Sequence, residues 1–232
     1  MARSPVLMRI PGGCFLMGSE TGRADEAPVH RVEVSPFEIG RTPVTNAEYA
    51  AFISATRMQP PPWWNEPAFS ASDQPVVGIN WFEARAYTRW LSRTTHGIWR
   101  LPTESEWERA VRGGLEQQPT AWGDALPPTE LPEGHLDGPW IVACGTPNGF
   151  GLLDAGTIVH EWCLDWYEPD YYAGSPEHCP RGAHRGRRRS SRGGSWRHKV
   201  RWSSPAARSS LPPEFRYSDY GFRVVREAAR RP

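Results

Sequence analysis

A chain of 232 residues can bury a substantial core, and its 22 glycines, 24 prolines and 12 tryptophans argue against long bundled helices and for short elements packed through indole rings. With 27 Lys and Arg against 26 Asp and Glu, the formal charge is +1, which provides no field for nucleic acid or an anionic membrane. The opening MARSPVLMRIPGG lacks the apolar run of a signal peptide and no later stretch could span a bilayer, so one cytoplasmic domain over residues 1–232 is expected.

Residues 5–19 alternate apolar and polar around Pro11-Gly12-Gly13 and predict two short strands, continued by 30–34 (HRVEV) and by Phe37 to Ile39. At Thr45 the period changes. Glu48 follows three residues later as a capping box, and Tyr49, Phe52 and Ile53 share one face, predicting a helix over about 45–56. The proline-rich 57–75, with Trp63-Trp64, reads as an ordered excursion pinned by its indoles, and 75–79 (PVVGI) as a short strand or extended lead-in. Asn80 with Glu83 starts a second helix running to about Thr95, its apolar stripe made by Ala84, Tyr87, Trp90 and Leu91. Thr103 with Glu106 starts a third, ended by Gly113-Gly114, with Trp107, Ala110 and Val111 inward. Its carboxylates Glu104, Glu106 and Glu108 suit a positively polarised helix start, a structural role.

Residues 115–150 read as a long ordered loop, and 168–192, ending in Arg181, Arg185, Arg187, Arg188, Arg189 and Arg192, as a solvated, partly mobile one. Cys14, Cys144, Cys163 and Cys179 form no CxxC pair, so free thiols are expected rather than a zinc site. The stretch 192–226 concentrates the candidate function. Gly193-Gly194-Ser195-Trp196 suits a strand entering a pocket, and Gly221 to Val225 a closing strand with Phe222 and Val224 on one side, Arg223 and Val225 on the other. Between them, a polar segment held by Pro205, Pro212 and Pro213 would form the functional face.

The ordered motifs FLMGS (15–19), PVHRVEVSPFEIGRTPVTNAEYAAF (28–52), PVVGINWFEARAY (75–87), RLPTESEWERAVRGG (100–114), GLLDAGTIVHEWCLDWY (151–167), RGGSW and GFRVV resemble the sulfatase-modifying-factor, or formylglycine-generating-enzyme, family over nearly the whole chain. The resemblance implies an α+β fold of the C-type-lectin type, loop-rich, with small sheets and about three helices. It also implies a copper oxidase whose two cysteines follow the GGS motif, yet Arg197 to Arg208 contains no cysteine, and His198 and Ser203 stand roughly where the thiols would lie. A linear dithiolate copper site is therefore disfavoured. Asp154 and Glu161, hard oxygen ligands flanking a turn, match the side-chain positions of the family's calcium loop, with Thr157 and Val159 at its carbonyls; structural calcium is implied. Two departures stand out: the usual Gly-Asn is Thr157-Ile158, and the usual Trp before Glu161 is His160.

Relatives with this fold are also diversified binders and ergothioneine-type sulfoxide synthases, but the HxxxHxE pattern of the latter is missing. The reading that follows is a recognition or accessory domain using the 196–220 surface, where Trp196, Arg197, His198, Lys199, Arg201, Trp202 and Tyr217 would contact a protein, peptide or small-molecule ligand. The alternative is an oxidoreductase of the same family acting on a peptide or small thiol, with a partner-supplied metal site and with Ser195, His198, Ser203 and His160 as candidate catalytic residues. Arg208, Arg216 and Arg223 are expected to brace loops through carbonyls and carboxylates such as Asp219.

Overall fold

The computed structural model describes residues 4–124, 131, 137–200 and 203–227. Each of its three α-helices starts at one of the expected capping boxes. Thr45 caps α1 (Asn46–Thr56), Asn80 caps α2 (Trp81–Thr95) and Thr103 caps α3 (Glu104–Arg112), each by accepting the N–H of a glutamate whose carboxylate reaches back. A cap of this kind contributes about 1 kcal/mol. Gly113, at φ 61°, ends α3 in the left-handed conformation that glycine adopts most cheaply. Tyr49 and Phe52 of α1 bury against α2, where Tyr49 stacks on Tyr87 with ring centres 5.6 Å apart.

Among the described residues ten short strands form three sheets: β1 (Leu7–Ile10), β2 (Gly13–Met17), β3 (His30–Val34), β4 (Phe37–Gly40), β5 (Trp99–Arg100), β6 (His160–Trp166), β7 (Arg189–Arg192), β8 (Arg208–Leu211), β9 (Tyr220–Gly221) and β10 (Val225–Glu227). The first sheet has the order β1-β4-β10-β5, the second is the β2–β3 hairpin, and the third has the order β8-β7-β6-β9. In the first, β10 pairs antiparallel with both neighbours, setting Val225 opposite Ile39 and Arg100. In the third, β9 runs parallel to β6. The main apolar clusters lie around Trp107 of α3 with the strands β1 to β4, and around Tyr87, Trp162 and Phe222. A third, around Phe69, Val159 and Trp196, underlies the loops. This is an α+β architecture of the expected kind.

Two expectations are corrected. The closing segment is not one two-sided strand: Tyr220–Gly221 belongs to the third sheet, Val225–Glu227 to the first, and Phe222, Arg223 and Val224 cross between them, all buried. Both sides are covered, so no alternation of inside and outside survives. The arginine-rich segment, expected to be solvated, ends as the inner strand β7, with Arg192 fully buried. Arg189 lies over the rings of Trp81 and Trp166, 3.8 and 3.4 Å from their centroids. Desolvation and the like charge of Arg85 push its pKa down to about 10. Residues 75–79 form no strand beyond a single bridge from Pro75 to Thr45. No described helix is long and apolar enough to cross a membrane.

Candidate functional site

Where β7 ends, the chain turns through Gly193 at φ +81°, and a Cβ there would stand 2.9 Å from the Cα of Gly156. Only glycine lets these two loops meet. Their backbones then join: Gly194 N–H donates to Gly156 O (2.8 Å) and Trp196 N–H to Ile158 O (2.9 Å). Beside this junction opens a groove of about 760 Å³, bordered by Glu26, Gln117, His160, Gly194, His198 and Arg208 among others.

The groove is braced by a buried charge network. Glu104 binds Arg192 (3.2 Å) and Arg208 (3.0 Å), while Glu108 binds Arg192 and Arg112 (2.7 Å). Burial alone would raise Glu104, but Arg208 and Arg192 outweigh it and hold the carboxyl below its usual range. Asp165 is the opposite case. It accepts the Glu104 N–H (3.1 Å), yet burial and the charge of Glu104 push it well above the carboxylate range. Glu104 and Glu108 thus have the expected structural role through ion pairs, and Glu106 has it through the capping box and Arg100. The spacing of Glu104, Glu108 and Arg112 on one helix face was the available signal for this network. Glu26 had none: burial raises its pKa at the groove wall.

Of the four candidate catalytic residues, two reach the groove and two do not. His160, at the start of β6, donates Nδ1–H to Gly193 O (2.6 Å), leaving Nε2 as its free nitrogen. Burial lowers its pKa against the pull of Asp219, and His198 adds to the depression. His198 is exposed, its ring centre 5.2 Å from that of His160. Ser195 instead donates its hydroxyl to Asp219 (3.2 Å), and Ser203 Oγ is buried without a partner; neither serine lines the groove.

The proposed contact residues also divide. Trp196 is only 7% exposed, packs on Phe69, and donates its indole N–H to Ser218 O, so it supports the surface from below. Arg197 stacks on Trp196 (4.6 Å) and binds Ser218 Oγ and, more distantly, Asp219. His198 and Lys199 are exposed, as is Tyr217. Arg201 and Trp202 lie outside the described residues. Arg208, Arg216 and Arg223 brace the structure as expected, although Asp219 serves Arg197 instead.

At the turn 154–161, Arg223 donates to both oxygens of Glu161 (2.9 Å each) and Trp107 Nε1 to one of them (2.7 Å). The same guanidinium binds the carbonyls of Gly40, Arg41, Leu153 and Asp154. Asp154 Oδ2 accepts the Ala143 N–H, while Oδ1 and Thr157 Oγ1 are buried and unpartnered. The Gly156 and Ile158 carbonyls are taken by the 194–196 segment. Two orphaned hard oxygens, Asp154 Oδ1 and Thr157 Oγ1, fit a calcium ion. Burial raises the pKa of both carboxyls, although Arg223 opposes this at each and Trp107 opposes it at Glu161. Copper fits less well, because none of the four free cysteines lines the groove and Cys163 is sealed in the core.

A small mixed core under long loops, with a groove beside the GGS turn, defines a C-type-lectin-like fold. Residues 2–228 match the family described as the sulfatase-modifying factor enzyme 1-like domain, and the chain belongs to that family. It is 35% identical to the formylglycine-generating enzyme of Streptomyces coelicolor, over 95% of this chain and 89% of that one. It is 30% identical to the mouse protein named inactive C-alpha-formylglycine-generating enzyme 2, over 99% and 88%. Among solved structures, PvdO from Pseudomonas aeruginosa superposes with a TM-score of 0.84 at 25% identity, covering 97% of this chain and 95% of that one.

Proposed function

We propose that the chain is a recognition or accessory domain of this family, which binds a protein, peptide or small-molecule ligand along the groove and the adjoining 197–199 surface. The carrying observation is the composition of the groove: two imidazoles, arginine, glutamate and glutamine, with no thiol. Soft Cu(I) needs paired sulfur donors, and a histidine with a hydroxyl does not replace them. That a relative matched over 99% of this chain bears the word inactive in its name supports a scaffold that can be kept without the oxidase chemistry. In this reading, Asp154, Glu161 and the carbonyls of Thr157 and Val159 hold calcium, which ties the 154–161 turn to β6 and so positions His160.

The test has two arms. With Arg197→Glu and Lys199→Glu together, melting should be unchanged while a photo-crosslinker placed at Tyr217 loses the product it gives in the wild-type background. An unfolded double variant would make this surface structural. Protein loaded with Cu(I) and given a cysteine peptide should consume no oxygen; stoichiometric uptake would overturn the proposal in favour of an oxidase.

A further inference from the structure

The two imidazoles of the groove meet edge to face at its wall. His160 is held from behind by its Nδ1–H bond to Gly193 O, which fixes the tautomer and leaves Nε2 as a lone-pair donor. His198 lies three residues past Ser195, its backbone N–H anchored on Ser195 O (2.8 Å). Among the described residues, neither of its ring nitrogens has a hydrogen-bond partner. The ring centres are 5.2 Å apart and their planes are inclined by 67°. Two imidazoles that share one tetrahedral ion, each nitrogen about 2.0–2.1 Å from it, have ring centres about 5 Å apart. A ring N–H given to a backbone carbonyl is also how proteins orient an imidazole that binds a metal.

We infer that His160 and His198 form an open two-histidine site for a borderline divalent ion such as Zn(II), whose remaining positions face the groove. Imidazole donors suit such ions, as thiolates suit Cu(I). The inference rests on the groove being the ligand-binding part: the ion would be a fixed contact for an oxygen or nitrogen donor of whatever occupies it. No third His, Cys, Asp or Glu joins the pair among the described residues, so the affinity depends on both rings.

Zinc titration followed by calorimetry, with calcium in excess so that the hard-oxygen turn is filled, tests this directly. One equivalent should bind the wild-type protein. His198→Ala, at an exposed position, should keep its melting temperature and lose at least about tenfold in affinity, as removal even of supporting groups does at metal sites. His178→Ala, on the exposed 178 loop, should bind like wild type, and Co(II) should give the visible absorption of a low-coordinate site that His198→Ala abolishes. Equal zinc affinity in wild type and His198→Ala would reduce the pair to a ring contact. If zinc fails to bind while the Arg197/Lys199 variant still loses its crosslink, this inference falls and the recognition reading stands; if the crosslink persists but zinc binds through His198, the reverse holds.

Discussion

Replacing Arg223 by methionine should be among the most damaging single changes. The guanidinium is fully buried, binds both oxygens of Glu161, and satisfies four carbonyls from two distant segments, 40–41 and 153–154. Methionine keeps much of the packing volume but leaves Glu161, itself fully buried, with only the Trp107 N–H. Breaking a buried pair from one side costs about 3–5 kcal/mol, against a whole-domain stability of about 5–15 kcal/mol. In EDTA, the midpoint of thermal unfolding should therefore fall by about 6–20 °C, taking about 2–4 °C per kcal/mol for a chain of this size. Adding Glu161→Gln removes the stranded charge, so the double variant should recover about 2 kcal/mol relative to the sum of the single changes. The deficit of Arg223→Met should also shrink as pH falls, because the unpaired Glu161 carboxyl then takes up a proton in the folded state. A loss under about 1 kcal/mol, or strict additivity, would refute the claim that this ion pair organises the turn.

Calcium should stabilise the fold by about 2.7 kcal/mol at a hundredfold excess over its dissociation constant and so raise the melting temperature, and Asp154→Asn should abolish most of that gain in a calorimetric scan. Without calcium the raised pKa of Asp154 implies stability lost as pH rises from about 4 through its folded value, because the folded state holds the proton more tightly; Asp154→Asn should flatten that slope. Asp165→Asn keeps an acceptor for the Glu104 N–H and removes a carboxyl that burial already disfavours as an anion, so at neutral pH it should cost less than about 1 kcal/mol in urea unfolding. Gly194→Ala would bring a methyl 2.3 Å from Ser203 Oγ and should cost about 1–3 kcal/mol. Ser203→Ala in the same chain should return part of this, since the next atom stands at 3.3 Å, and a lack of any recovery would place the clash elsewhere.

Much of the fold was legible because the signals were local. Thr45 with Glu48, Asn80 with Glu83 and Thr103 with Glu106 each declare a helix start within four residues, and all three helices begin there. Arg192 was misread because its partners Glu104 and Glu108 lie far back in the chain, and an arginine next to serines and glycines looks solvated until that network is seen. The segment from Gly221 to Val225 was misread for a related reason: its alternation suggests one strand, and nothing local marks the passage from one sheet to another. In the candidate site, the missing thiols were visible by inspection, whereas the division of Ser195 and Ser203 from His160 and His198 depends on how the 193–196 turn leans on 156–158.

The position of β10 has a consequence for how the molecule is made. This strand, built from some of the last described residues, is an interior member of the first sheet, with β4 on one side and β5 on the other. A nascent chain emerging from the ribosome would carry β1, β4 and β5 before β10 is made, with a gap between the last two, and strand edges so exposed invite wrong partners. Early assembly should therefore belong to the helices and the β2–β3 hairpin, with the first sheet completed late, after the groove segment has been synthesised.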